Sequence, residues 1–245
     1  MAERRFVVEG PQAVAESLAT LIELYVLDLA DPLAVAAAAS GIDVVVVDQK
    51  VLKAMAETVS PQGMVGVAPL LDVPLADAVQ PDARLVTVLH GVGDPGNAGT
   101  VIRSSDAVGA AAVILTEGSV DPHNGKCVRA TAGSLWHLPV VSGAPIDEVV
   151  PALRRTGLQV LATSGMARDD LDGLVDEGAL AGPTAWVFGN EAAGLSAEVL
   201  ALCDRVVRIP MAGRAESLNL ASAAAVCLYA SARAQRPRPG RPTVT

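Results

Sequence analysis

The chain has 245 residues, 51% of them hydrophobic but only 2% aromatic, and a formal net charge of −9 at pH 7. That length admits one large or two small domains, and apolar content made mainly of Ala and Val favours small-residue helix packing and the Val-rich strands of a buried parallel sheet. The acidic balance argues against indiscriminate nucleic-acid binding, which wants a basic field, but it leaves room for a local patch, since fifteen of the eighteen basic residues are Arg, the better phosphate fork.

Residues 6–72 read as a small α/β unit. Phe6-Val7-Val8 leads into Glu9-Gly10-Pro11 and an amphipathic helix over 12–21. A strand over 24–27 and a helix over 32–39 follow, the helix ended by Ser40-Gly41 with the glycine expected after a helix C-terminus. A strand over 43–47, a helix over 49–59 and a strand over 64–68 complete the unit, and the alternation implies a layered α/β fold. The stretch 71–83, rich in Asp and Pro, reads as a linker. The division is therefore 1–72, a linker at 73–83, a second domain over 84–235 and a flexible tail over 236–245.

The second domain opens with a strand over 84–89. Then come a helix over 97–108, a strand over 112–115, a helix over 126–135, a strand over 138–141, a helix over 146–156 and a strand over 158–163. An acidic loop fills 164–182. A strand over 184–188 and a short helix over 197–202 precede a last strand, Val206 to Met211, stopped by Pro210. A loop over 212–216 leads to Ser217, read as the cap of a helix over 218–234 that is apolar or small on every face. Such a helix is buried all round or shared between subunits.

Cys127, Cys203 and Cys227 have no CxxC spacing, which predicts buried thiols in a reducing cytosol rather than disulfides or zinc. His90, His123 and His137 make no metal-ligand pattern, so no metal is expected. The longest apolar run, Leu33 to Ala39, is too short to cross a bilayer, and no signal-peptide core follows Met1 to Arg5.

Three segments carry chemistry. In the first, Gly91, Gly93 and Gly96 spell GxGxxG between a strand and a helix, with Asn97, Arg103 and Glu117 beyond; this superficially meets the dinucleotide-binding pattern. In the second, the strand ending at Phe188 runs into Gly189-Asn190-Glu191-Ala192-Ala193-Gly194-Leu195, a small-residue loop where α/β ligands sit. In the third, Ile209-Pro210-Met211 precedes Glu216-Ser217-Leu218-Asn219, polar groups at the mouth of an apolar helix. On residues alone, a nicotinamide oxidoreductase, a non-enzymatic RNA-binding protein and ordinary βα turns all stay open.

Together, Asp94 to Arg103, Phe188 to Leu195 and Ile209 to Ala221, with Val128-Arg129-Ala130-Thr131-Ala132-Gly133-Ser134 between them, resemble the SpoU (TrmH-type) ribose 2′-O-methyltransferases of the SPOUT superfamily over residues 84–232. Phe6 to Gly10 resembles the start of the small ribosomal-protein-like substrate-binding domain of one branch. The resemblance implies an α/β fold with a mainly parallel sheet and a C-terminal trefoil knot, preceded by that small α/β domain. It implies S-adenosyl-L-methionine as methyl donor without a metal, RNA as substrate and a homodimer with its site at the subunit interface. The favoured target is 23S ribosomal RNA, and transfer RNA is the alternative.

By the same resemblance, backbone groups at Thr163, Gly189, Ile209 and Leu218 hold the donor, with Asn190 and Met211 beside it. Arg103 stabilises the developing alkoxide and an RNA phosphate, since a guanidinium is hard to deprotonate in a protein. Asn97 positions Arg103 or the ribose, Glu191 orients the site, and Ser217 and Asn219 touch substrate or donor. On the residues alone, Arg103 could instead pair with Asp106 one turn on. Arg129, Arg154, Arg155, Arg168 and the tail arginines are candidates for an RNA-binding patch.

Overall fold

A computed structural model describes residues 4–236, so most of the expected tail lies outside the described residues. Two sheets organise the chain. The first contains β1 (Arg5–Glu9), β2 (Glu23–Val26), β3 (Asp43–Val46) and β4 (Met64–Pro69) in the order β1-β4-β2-β3. Strand β4 runs antiparallel to β1 and β2, while β2 and β3 are parallel. Helices α1 (Pro11–Ser17), α2 (Pro32–Ala39) and α3 (Gln49–Met55) connect them. The sequence sets their ends: Pro32 fits the first turn of α2, Asp31 accepts the Leu33 N–H as cap, and Gly41 beyond it takes a φ of 82°.

The second sheet holds β5 (Leu85–Leu89), β6 (Ala112–Thr116), β7 (Val140–Ala144), β8 (Gln159–Thr163), β9 (Asp169–Asp170), β10 (Thr184–Phe188) and β11 (Arg205–Arg208), in the order β7-β6-β5-β10-β8-β11-β9. Every pairing in it is parallel. Its helices are α4 (Leu75–Ala78), α5 (Pro95–Ala107), α6 (Gly125–Thr131), α7 (Ile146–Arg155), α8 (Leu171–Asp176), α9 (Ala197–Leu202) and α10 (Leu220–Gln235).

Strand periodicity divides the core. Leu85, Leu89, Val113, Leu115, Leu161, Trp186 and Phe188 face one side with α5, α6 and α10; Val86, Val88, Ala112, Ile114, Val160, Ala185 and Val187 face the other with α7. A strand covered on both faces reads as a continuous apolar run, as Leu85-Val86-Thr87-Val88-Leu89 does. The polar exception is satisfied: Thr87 Oγ1 lies 2.8 Å from Ser105 Oγ on α5. Each fully buried large side chain contributes about 1.5–3 kcal/mol. Trp186, wholly buried, also donates its Nε1 proton to Ser231 Oγ at 2.8 Å, which fixes α10 to the sheet.

Several sequence expectations need correction. The final helix starts at Leu220 and its cap is Asn219, whose Oδ1 accepts from Ala221 N and Ser222 N; Ser217 lies in the preceding exposed loop. Strand β11 stops at Arg208, before Ile209 and Pro210. The helix expected over 126–135 ends at Thr131, because Ala132 and Gly133 both take left-handed φ values, 50° and 100°, and a 3₁₀ turn (Ser134–Trp136) follows. The helix expected to 59 ends at Met55. The loop 164–182 contains β9, α8 and a 3₁₀ turn (Ala179–Ala181), because Leu171, Leu174 and Leu180 are buried beneath its acidic surface. The stretch read as a linker packs on the second sheet: Val73 N donates to Val140 O, and α4 buries Ala78 in the core.

Candidate active site

In a parallel sheet, ligands sit beyond the carboxyl ends of the strands. Strands β10, β8 and β11 are neighbours, so the loops that follow them converge. They enclose a cavity of about 510 Å³ lined by Thr163, Gly165, Met166, Gly189, Asn190, Glu191, Leu195, Ile209, Met211, Glu216, Ser217, Leu218 and Leu220, among others. All six residues expected to hold a donor line it: Thr163, Gly189, Asn190, Ile209, Met211 and Leu218.

The loop after β10 is tight. Asn190 Oδ1 accepts from Ala192 N and Ala193 N, and its Nδ2 donates to Gly91 O, 2.8 Å away on the loop after β5. The Asn190 amide is thus spent on shaping two loops, and Asn190 meets the cavity as part of its wall. At Gly189 a Cβ would overlap the Gly194 carbonyl and Leu195, so only glycine closes this turn.

A second depression, about 530 Å³ and more open, lies between α5 and the start of α10. Asp94, Gly96, Asn97, Thr100, Ser104, Ala130, Asn219 and Ser222 line it. Pro95 and the Asp94 cap, which accepts Asn97 N at 2.8 Å, place Asn97 in the first turn of α5. Asp94 also accepts from Lys126 Nζ at 2.7 Å, and that bond, with Asn97 N, holds its carboxyl below the usual range.

Glu191 joins the two cavities. It accepts from Asn97 Nδ2 at 2.9 Å, Gly93 N at 3.2 Å and Asp94 N at 3.3 Å. Burial pushes its pKa up, but the hydrogen bonds from Asn97 and from backbone N–H groups outweigh it, and the carboxyl titrates below the ordinary glutamate range. Asn97 Oδ1 in turn accepts from Asn219 Nδ2 at 3.0 Å. The three signature segments therefore meet in one line, Glu191–Asn97–Asn219. The same geometry speaks against a dinucleotide site: the Gly93 and Asp94 N–H groups that would cradle a pyrophosphate are directed to Glu191.

The expected residues are not all gathered equally. Asn97 and Asn219 line the shallower groove, Ser217 lines the cleft beyond β8, β10 and β11, and Glu191 borders both through its bonds. Arg103 stands apart on the exposed side of α5, lining neither cavity and with no hydrogen bond or ion pair among the described residues. The pairing with Asp106 is absent, because Asp106 binds His137 Nδ1 at 2.8 Å. The contact between Asp94 and Lys126 has no local sequence signal; they lie 32 residues apart, and only the fold brings them together.

Most other arginines are engaged. Arg129 pairs with Glu9 and Glu57, and Arg154 pairs with Asp204 and bonds Leu202 O, so the expected basic patch loses both. Arg155 and Arg168 have no such partner among the described residues. The thiols of Cys127 and Cys227 are buried and pushed up to about 12, and that of Cys203 to about 11, by burial. Among the described residues no cluster of His, Cys, Asp or Glu could hold a metal ion, and no helix is long and apolar enough to cross a membrane.

A cleft at the ends of parallel strands, bordered by the Glu191–Asn97–Asn219 line, defines a parallel α/β protein in which three loops share one candidate ligand site. The chain belongs to the SpoU rRNA methylase family, whose model matches residues 84–229; residues 7–73 match the model for RNA 2′-O ribose methyltransferase substrate binding. It is 33% identical over 227 residues to the 23S rRNA (guanosine(2553)-2′-O)-methyltransferase RlmP of Bacillus subtilis, covering 91% of this chain and 87% of the relative. An AdoMet-bound rRNA methyltransferase from Sinorhizobium meliloti superposes with a TM-score of 0.81 at 33% identity, over 94% of this chain and 87% of that one. The SpoU methyltransferase AviRb from Streptomyces viridochromogenes, in complex with AdoMet, gives a TM-score of 0.80 at 30% identity, over 94% and 90% of the two chains.

The cleft fits S-adenosylmethionine. Its volume is within the usual range for small-molecule sites. Leu195, Ile209, Met211 and Leu218 offer apolar surface suited to a purine, and the Glu191 and Glu216 carboxylates suit a cationic sulfonium.

Proposed function

We propose that this chain methylates a ribose 2′-hydroxyl of RNA, with 23S ribosomal RNA as its target and S-adenosylmethionine as donor, in the cytoplasm. The observation that carries the reading is the Glu191–Asn97–Asn219 line, which draws the three signature segments to one border between the cleft and the shallower groove. The donor, when bound, supplies an electrophilic methyl group on a positively charged sulfur. Thr163, Gly189, Ile209, Met211 and Leu218 hold it, and Asn190 keeps the loop walls in place.

The open groove takes the nucleotide. Asn97 and Asn219 face it and orient the ribose, while Glu191 holds the Asn97 amide in one sense of rotation. Holding reacting groups in line is worth up to about 7–11 kcal/mol in ideal geometry. Transfer forms the O–CH₃ bond as the S–CH₃ bond breaks, the neutral thioether leaves and the hydroxyl proton passes to water, while Arg103 stays protonated and stabilises negative charge growing on the sugar oxygen. Its position outside both cavities of its own chain supports delivery across a homodimer interface. The exposed stripe of α10, with Ser222, Val226, Tyr229 and Arg233, supplies a face for the second copy. The last strand and helix are read as threaded through an earlier loop, as a trefoil knot, which makes the loop after β11 a rigid wall of the cleft.

The test is transfer of label from S-adenosylmethionine carrying a tritiated methyl group into 23S ribosomal RNA, transfer RNA, and a ribosomal RNA fragment with a 2′-deoxy target nucleotide. Label in the ribosomal RNA and none in the deoxy fragment is expected. Label in transfer RNA alone would move the target, and equal label in the deoxy fragment would reject ribose methylation.

A further inference from the structure

The stretch Arg129-Ala130-Thr131-Ala132-Gly133 lies between the signature segments, yet of these residues only Ala130 lines either cavity. Arg129, Ala132 and Gly133 face the N-terminal unit. Arg129 Nη1 donates to Glu9 Oε1 at 3.1 Å and stands 3.7 Å from Glu57 Oε2. Ala132 O accepts from Gln12 Nε2 at 3.2 Å. A side chain at Gly133 would overlap that of Glu16. Just beyond, Trp136 Nε1 donates to Thr20 Oγ1 at 3.0 Å, and His137 bridges Glu16 on α1 and Asp106 on α5. Ala132, with φ 50°, is the non-glycine residue in the left-handed region among those described, a strained conformation that the surrounding contacts hold.

Glu9 is the centre of this socket. Its side chain is 4% exposed, and its oxygens also collect Glu57 N at 2.7 Å, Thr58 N at 3.2 Å and Thr58 Oγ1 at 2.7 Å. One buried carboxylate therefore orders the loop after α3 and grips α6. Helix α6 packs against α5 so closely that a Cβ at Gly99 would overlap Ala130 and the Cys127 carbonyl. The unit that matches the substrate-binding model is thus braced, through α6, to the helix that carries Asn97.

We infer that Glu9 and Arg129 are a positioning pair for the reaction: they fix the N-terminal unit against α6, so that RNA held by that unit reaches the groove at Asn97 in one register. The inference rests on the RNA reading above. Neither residue touches substrate; they hold the two units in one relative placement, so that RNA binding does not have to order them.

Glu9→Gln keeps the shape and removes the charge, and Arg129→Ala removes the partner. Either should raise KM for a long 23S fragment about tenfold, the loss of one charge-assisted hydrogen bond, with kcat and S-adenosylmethionine affinity by calorimetry unchanged. Arg129→Lys should restore part of the loss. An unchanged KM, or KM, kcat and donor affinity failing together, overturns the inference. If Glu9→Gln does not fold, Gln12→Ala with Glu16→Ala gives the same reading from the rim of the socket. Hydrogen exchange without RNA separates this from the wider reading: amides of Glu57, Thr58 and residues 129–137 should exchange faster in Glu9→Gln. Equal protection overturns the pair whether or not the wild type methylates RNA, while faster exchange in Glu9→Gln, together with a wild type that methylates no RNA, rejects the proposed function and leaves the docking intact.

Discussion

Asn97 makes two amide contacts in opposite senses, donating to Glu191 and accepting from Asn219, and so cannot rotate without losing both. Replacing it with Ala takes from Glu191 its side-chain donor. Methyl transfer should then fall about ten- to a hundredfold, the worth of a hydrogen bond to a charged group, measured as kcat/KM with the fold checked by circular dichroism. The pH profile follows from the depressed carboxyl of Glu191. A group with a lowered folded pKa contributes order that is present above its unfolded pKa and is lost as pH falls through the folded one. Donor affinity should therefore hold as pH drops through the ordinary glutamate range and fail only below it, and in Asn97→Ala the acid limb should move upward. An acid limb unmoved by the substitution would separate Asn97 from the Glu191 carboxylate. At this scale, Asn97, Glu191 and Asn219 were legible because each sits in a motif of its own. The Asp94–Lys126 bond and the Glu9–Arg129 pair were not, because a contact across 32 or 120 residues leaves no local pattern.

The elements depend on a few polar anchors inside apolar packing. Trp186 on β10 and Ser231 on α10 are both buried and satisfy each other. Ser231→Ala leaves the indole N–H without an acceptor and should cost about 1–3 kcal/mol, read as a lower urea midpoint with the slope unchanged; an unaltered midpoint would show that α10 is held by packing alone. Gly99→Ala forces α5 and α6 apart and should cost about 1–3 kcal/mol by overpacking, visible as a lower melting temperature. His137 ties α5 to α1, and its pKa is raised by Asp106 first and Glu16 second. For a raised pKa the stabilisation is complete below the unfolded value, about 6.5, and fades as pH rises through the folded one. The melting difference between wild type and His137→Gln should thus be largest in mild acid and vanish in alkali; a difference that grows with pH would contradict the bridge. Strands were the most legible elements, since Val-rich runs such as Asp43 to Val46 and Leu85 to Leu89 are bounded by turn residues. Helix α8 was hidden because Asp172 and Asp176 mask Leu171 and Leu174, and the cap of α10 was misread because Ser217 and Asn219 are equally good caps by type.

Across the whole molecule, the alternation of strands and helices made the α/β class legible, and the resemblance of the three segments to one family carried their convergence; in the structure their loops all follow strands of one parallel sheet. What could not be read is the bracing of the two units, which rests on single side chains such as Glu9, Thr20 and His137 scattered through the chain. Assembly is open to direct test. Tyr229 and Val226 are 56% and 41% exposed on α10, so Val226→Asp with Tyr229→Asp should convert a dimer in sedimentation velocity into a monomer that no longer transfers methyl groups. A wild-type monomer with full activity would contradict the shared site. On the proposed function, this cleft directs a methyl group to a sugar oxygen. It is tested most directly by mass spectrometry of nucleosides from 23S ribosomal RNA incubated with S-adenosylmethionine and either the wild-type protein or Asn97→Ala. One 2′-O-methylnucleoside is expected with the wild type and a strongly reduced yield with the variant; a base-methylated nucleoside, or no modified nucleoside with the wild type, would contradict ribose methylation at this cleft.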